Sequence, residues 1–128
     1  MPHTVEHNPA NGFIEVTFTG LISGEDIRSA TTKCSVIQKQ TGEKRFLISA
    51  NGWEYGGSFA DVFNLPAHQF LDVGIDQMSS FALILPTSIS AQDAALFFEI
   101  VCKNRGWKTE VFADRQNAVN WLNASSRT

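Results

Sequence analysis

The chain of 128 residues predicts one α/β domain, a sandwich in which a mixed five-stranded sheet carries four helices in the order β-β-α-β-α-β-α-β-α. Three observations carry that reading. Short apolar runs at 45–50, 81–85 and 107–112 alternate with amphipathic stretches long enough to be helices. A serine followed three residues later by an aspartate opens three of those stretches. Gly42 and Gly106 close two of them. With 43% hydrophobic against 18% charged residues, the composition is globular and supplies one real core.

Taken in order, residues 3–7 and 13–19 read as strands joined by Asn8-Pro9-Ala10-Asn11-Gly12, which is turn chemistry. In the second, Ile14, Val16 and Phe18 alternate with Glu15, Thr17 and Thr19, the pattern of a strand wet on one face near a sheet edge. Ser23-x-x-Asp26 opens the first helix: the hydroxyl caps a free N–H and the acid sits where the helix dipole favours it. Ile27, Ala30, Cys34 and Ile37 follow at helical spacing. The runs at 45–50 and 81–85 are almost wholly apolar and belong at the sheet centre.

Ser58-x-x-Asp61 opens the second helix. Wound at about 100° per residue, Phe59, Val62, Phe63, Ala67, Phe70, Leu71 and Val73 form one broad apolar face. Pro66 has no N–H to donate to residue 62, so this helix must bend or break there. Ser90-x-x-Asp93 opens the third, with Ala94, Phe97, Phe98, Val101 and Cys102 on one face. A fourth follows Asp114, carrying Ala118, Val119, Trp121 and Leu122. Phe46, Ile48, Leu83, Leu85, Phe98 and Leu122 are the expected core. Alternating strands and helices imply right-handed crossovers and a parallel centre, with the first hairpin antiparallel.

The segments FALILP (81–86) and AALFFEIVCKNRGWKTEVFADRQNAVNWL (94–122) resemble the end of the SpoIIAA-like family, relatives of STAS domains and of the CRAL-TRIO (Sec14) lipid-binding fold. The resemblance lies in the strand ending Glu110-Val111-Phe112, the acidic turn Ala113-Asp114 and the helix Ala118-Val119-Asn120-Trp121-Leu122. In sequence it covers about residues 80–122; in element order it covers the whole chain. It implies a small cytoplasmic bacterial module, not an enzyme, that binds protein partners or small ligands; the Sec14 branch binds lipids. In partner-switching members a phosphorylated serine starts the helix after the second core strand, within Asp-Ser-x-Gly. The matching place is Tyr55-Gly56-Gly57-Ser58-Phe59, which makes Ser58 the candidate phosphorylation site. The acid before Ser58 and the glycine two residues after it are both missing, and its first reading is a helix N-cap.

The stretch NGWEYGGSF (51–59) raises the main functional question. Asn51-Gly52 and Gly56-Gly57 suit the positive φ angles of a tight turn, or an anion-binding nest. No Gly-x-Gly-x-x-Gly or Walker pattern is present, so a nucleotide site is not expected. Trp53 and Tyr55 fall at the carboxyl ends of the central strands, where open α/β sheets place ligands. With Phe59, Phe63 and Phe70 they border a cavity for an apolar ligand or a partner's side chain; the opposing reading is a packed lid over the sheet.

Leu96 and Ile100, beside Phe97, form an apolar strip outside the expected core and suggest a homodimer contact. Lys103, Arg105 and Lys108 lie near it and allow at most a peripheral membrane contact. A net charge of −3 lacks the basic footprint of a nucleic-acid binder. No secretory leader pattern opens the chain, and the longest apolar run, 81–85, is too short for a span, so a cytoplasmic location is expected. Cys34 and Cys102 read as buried free thiols.

His68 and Asp72 read as a solvated polar face because no further ligand has metal spacing, and no cofactor is expected. No Ser-His-Asp elbow or Cys-His pair occurs, and His3 and His7 fall on a strand that reads as exposed, so the chain does not read as an enzyme. A regulatory or binding module acting through protein partners or a small ligand is the first expectation. A carrier or sensor of a small apolar molecule or lipid is the alternative.

Overall fold

In the computed structural model the described residues are 3–7, 10, 12–50 and 52–125. Strands are β1 (His3–His7), β2 (Ile14–Phe18), β3 (Leu21–Ile22), β4 (Arg45–Ala50), β5 (Glu54–Tyr55), β6 (Ser80–Ile84) and β7 (Lys108–Phe112). Helices are α1 (Gly24–Thr41), α2 (Phe59–Asn64), α3 (Phe70–Asp72), α4 (Ile89–Asn104) and α5 (Arg115–Ser125), with a π-helical turn, Leu65–Gln69, joining α2 to α3. Counting α2, the π turn and α3 as one bent helix gives the expected four. The turn expected at 8–12 and the contribution of Asn51 lie largely outside the described residues.

The main sheet has five strands in the order β1-β2-β4-β6-β7. β1 pairs antiparallel with β2, and every other pair is parallel, which is the mixed sheet expected. Each parallel crossover moves one strand in the same direction, so helices of one hand must all fall on one face. On that face the α1, α2–α3 and α4 side chains meet Ile14, Val16, Phe18, Phe46, Phe81 and Leu83. The alternate residues Leu47 and Ala82, with Phe13, face the other way onto Ala118 and Leu122 of α5. One face is thick and aromatic, the other thin.

Local signals place most boundaries. Ser23 and Ser58 each make a full capping box, with Asp26 and Asp61 as the reciprocal acids. Gly42 ends α1 at φ 74°, donating its N–H to the Gln38 carbonyl. The third cap is displaced. Ser88, not Ser90, accepts from the Ala91 N–H at 3.2 Å, while the Ser90 hydroxyl accepts from the Tyr55 N–H. Pro86 ends the strand early enough for the helix to begin two residues sooner.

Two core expectations are corrected. Leu85 lies beyond the end of β6 and is only half-buried, and Ile48 is half-buried at the sheet centre. His3 departs from expectation in the other direction: α1 covers the edge strand, and the residue is 6% exposed, beside Phe18 and Lys33. Burial and the nearby Lys33 ammonium hold the His3 pKa below its ordinary value. At the opposite edge the Glu99 carboxylate accepts the Val111 N–H at 2.9 Å, which occupies one outward donor of β7.

A bidentate pair fastens the thin face: the Arg115 guanidinium on α5 donates to both Glu15 oxygens on β2 at 2.8 Å. The Arg115 hydrogen bonds hold the Glu15 pKa below its ordinary 4.5. A depressed carboxylate stabilises the fold above its unfolded pKa and loses that contribution as pH falls through the folded value. Glu15→Gln should therefore reduce stability by no more than about 1 kcal/mol at pH 7. Urea melts of wild type and variant should converge once the pH falls well below 4.5.

Candidate functional site

The NGWEYGGSF stretch does more than turn the chain. After β4 the backbone crosses to β3 and pairs with it in parallel, Leu21 opposite Glu54 and Ile22 opposite Tyr55. The Glu54 N–H donates to the Gly20 carbonyl and the Gly56 N–H to the Ile22 carbonyl, at 2.9 and 2.8 Å. Gly52 has φ 65°, as expected of a turn glycine, whereas Gly56 and Gly57 do not have positive φ. They are needed for closeness instead. A Cβ on Gly57 would stand against the Tyr55 phenol and the Gly24 backbone, and one on Gly56 would meet Leu21.

The first turn of α4 anchors this loop from the other side. The Ser88 hydroxyl donates to the Trp53 carbonyl at 2.8 Å, and the Tyr55 phenol donates to the Ser58 carbonyl at 2.7 Å. Burial, with the Asp61 carboxylate nearby, pushes the Tyr55 pKa up to about 12. The Trp53 ring is buried with its centroid 5.2 Å from that of Phe18. Trp53 and Tyr55 are therefore a pinned wall at the carboxyl ends of the parallel strands.

Behind that wall, between the sheet and the thick helical layer, lies an apolar cavity of about 100 Å³. Trp53 and Tyr55 border it with Phe18, Phe46, Ile48, Phe70, Phe81 and Leu83, and α1 and α4 contribute Ala30, Thr31, Cys34, Ala94, Ala95 and Phe98. Ile48 is half-buried because it faces this space. At about 24 cal/mol per Å³, a void of 100 Å³ costs roughly 2 kcal/mol relative to a filled core.

The wall is almost without free polar groups. The Thr31 hydroxyl donates to the Ile27 carbonyl and the Tyr55 hydroxyl is committed to Ser58. Burial pushes the Cys34 thiol up to about 12, which makes it a small apolar surface at neutral pH. The Trp53 indole Nε1 is buried with no hydrogen-bond partner, and it has no surface open to the cavity. An unpaired buried donor costs about 1–3 kcal/mol.

Of the five aromatic residues expected at the site, Trp53, Tyr55 and Phe70 come together there, and Phe59 and Phe63 do not. Both are exposed: Phe59 lies edge-on against Phe97, and Phe63 lies under the Arg105 guanidinium. The π turn explains the split. In an unbroken α-helix Phe63 and Phe70 share a face, because seven residues wind close to two full turns. The π turn, closed by the Phe70 N–H on the Leu65 carbonyl, absorbs one extra residue. It brings Phe70 into line with Val62, and leaves Phe63 and Leu71 in solvent. Phe70 then stacks on Phe81 at 5.2 Å and meets Trp107 edge-on at 5.3 Å.

The wall residues contributed by strands and helices read in the sequence as ordinary core. The usable signal was the small residues Ala30, Ala94 and Ala95 on facing helix positions, which leave space that larger side chains would fill. Leu96 and Ile100 are exposed as expected, on the outer side of α4. Among the described residues no group of His, Cys, Asp and Glu is placed to hold a metal. Among the described residues no helix is long and apolar enough to cross a membrane. No family model matches the chain, and no curated protein or solved structure matches it.

Ser58 is exposed and acts as the α2 cap: its Oγ accepts the Asp61 N–H at 3.1 Å, and the Asp61 carboxylate is paired with Arg28 at 2.9 Å. Ser58→Ala should lower the unfolding free energy by about 0.5–2 kcal/mol in urea melts, as should Ser88→Ala at the start of α4. Phosphate found at Ser58 by peptide mapping from native cells would add a regulatory role to that cap.

Proposed function

We propose that this chain is a non-enzymatic binding module that takes a small apolar molecule into the cavity between its sheet and its thick helical layer. The observation that carries the reading is an apolar cavity of about 100 Å³ walled at the strand ends by Trp53 and Tyr55. Protein interiors are close-packed, and a void beside unused aromatic surface lowers stability unless something occupies it. The space is ring-sized: an engineered apolar cavity of about 150 Å³ stays dry and binds benzene. Its Trp53–Tyr55 wall closes it on the carboxyl-end side of the parallel strands, the side on which open α/β sheets bind ligands.

The π turn supports the reading from the side of access. Val62, Leu65 and Phe70 are cavity walls carried by the bent helix, whose hydrogen-bond ladder is interrupted at Pro66. π turns inside α-helices are frequent at functional sites, and this wall is the one that can shift to admit a ligand. The SpoIIAA-like resemblance is compatible with such a module, and a protein-partner role through the exposed Leu96 and Ile100 is compatible with it too. A long lipid chain would require the bent helix to open well beyond the present volume.

The test is a titration of methyl-labelled protein with toluene, followed by NMR. Saturable shifts are expected at Ile27, Val62 and Leu83. They should vanish in Ala94→Leu, which fills the cavity and should melt no lower than wild type. Folded wild-type protein that shows no saturable shift at any cavity methyl would sink the reading.

A further inference from the structure

The outer side of α4 carries a pattern that the cavity does not use. Leu96 and Ile100 are 44% and 56% exposed, and Ile89, one heptad before Leu96, is 77% exposed. Asp93 and Lys103, both exposed, fall on the same stripe, because positions 89, 93, 96, 100 and 103 follow the alternating four-and-three spacing of a helical seam. Phe59, edge-on against Phe97, widens the strip on the α2 side. Apolar residues at that spacing form one half of a helix pair, and here the half stands exposed.

Independently of the cavity reading, we propose that this seam is a homodimer interface in which α4 of a second copy packs antiparallel across a twofold axis. The charges select the occupant and its direction. Turned end for end about the midpoint between Leu96 and Ile100, the helix sets Leu96 opposite Ile100 of the second copy and Asp93 opposite its Lys103. At about 1.5 Å per residue, each of those charges stands about 7.5 Å from the midpoint, near enough to the crossing for a lysine to reach a carboxylate. The twofold repeats the pair, so both ends of the seam are matched. Among the described residues Asp93 has no ion-pair partner. The Lys103 ammonium lies 3.1 Å from Glu110 and 3.6 Å from Glu99, yet its side chain is half-exposed and it keeps a donor for a third acid.

Other occupants fit less well. A parallel pair would set Asp93 against Asp93 and Lys103 against Lys103. An anionic membrane surface would meet Asp93 in the middle of the strip, a lysine already held by two acids, and a chain of net charge −3. Arg105 is turned onto the Phe63 ring. A contact confined to one helix pair and its flanks buries less than about 1,200 Å² in total, so the dimer is weak and concentration-dependent.

The test is sedimentation equilibrium of the whole chain from micromolar to millimolar concentration, on wild type, Ile100→Asp, Asp93→Lys and Lys103→Glu. Wild type should show a reversible monomer–dimer equilibrium, and Ile100→Asp, at an exposed position, should be a folded monomer. Each charge variant sets like charges together at both ends of its own dimer and should weaken it about tenfold. An equimolar mixture of Asp93→Lys and Lys103→Glu should recover the affinity, because the mixed pair has opposite charges at both ends. If Ile100→Asp does not fold, the mixing experiment decides alone. Wild type that stays monomeric at millimolar concentration would overturn the proposal, as would a dimer that Ile100→Asp leaves intact. A mixture no tighter than its components would overturn the antiparallel register and the pairing with it. Co-sedimentation of monomeric wild type with vesicles of anionic phospholipid would make a membrane the occupant instead.

Discussion

The architecture depends on a topological constraint: three parallel crossovers in succession, each moving one strand in the same direction across the sheet. With one hand of crossover available, α1, the bent helix and α4 must share a face, and only α5, arriving after the last strand, can cover the other. The two faces then carry different loads. Leu47 and Ala82 meet one helix across a thin apolar seam, with the Glu15–Arg115 pair at its margin. Phe46, Phe81 and Phe18 meet three helical segments of unequal length and shape. Space is left on the crowded face where α1 and α4 present small side chains, Ala30, Ala94 and Ala95, to the cavity.

Within that face Pro66 is decisive. By withholding one N–H it converts the middle of a helix into a π turn, and the extra residue re-aims everything downstream. Phe70 swings onto Phe81 and becomes part of the cavity wall. The carbonyl of Pro66 itself is taken by the Trp107 indole N–H at 3.0 Å, so the irregular turn is satisfied by a side chain from the residue just before β7. Trp107 and Trp53 thus make opposite use of the same group. One spends its N–H on the backbone, and the other is buried without a partner.

The strand-end loop has a complementary role. β5 pairs with β3, Ser88 and Ser90 hold the Trp53–Tyr55 backbone, and the tyrosine phenol ties back to Ser58. The Trp53 carbonyl and the Glu54 and Tyr55 N–H groups are thereby fixed by hydrogen bonds that do not involve the ring nitrogen.

The sequence by itself determined the five strands of the main sheet, the four helical stretches and the α/β class, because these rest on periodicity and on caps that act within a few residues. Ser23, Ser58 and Gly42 do in the structure what their local chemistry requires. The same locality made NGWEYGGSF recognisable as unusual, since aromatic residues at the end of a central strand must cover something. Tertiary structure alone decided the rest. Whether Phe59 and Phe63 joined the cavity turned on one residue of helical phase, which a missing N–H at Pro66 alters and a helical wheel does not represent. Whether Gly57 was needed for its φ or for its lack of a side chain turned on Tyr55 and Gly24, brought together by pairing between β3 and β5. That pairing involves two residues per strand, too few to leave a periodic trace. Whether His3 was exposed turned on where α1 crossed the edge. The cavity is the clearest case, because it is defined by the volume that nineteen side chains from separate elements fail to fill, and no single stretch of chain encodes an absence.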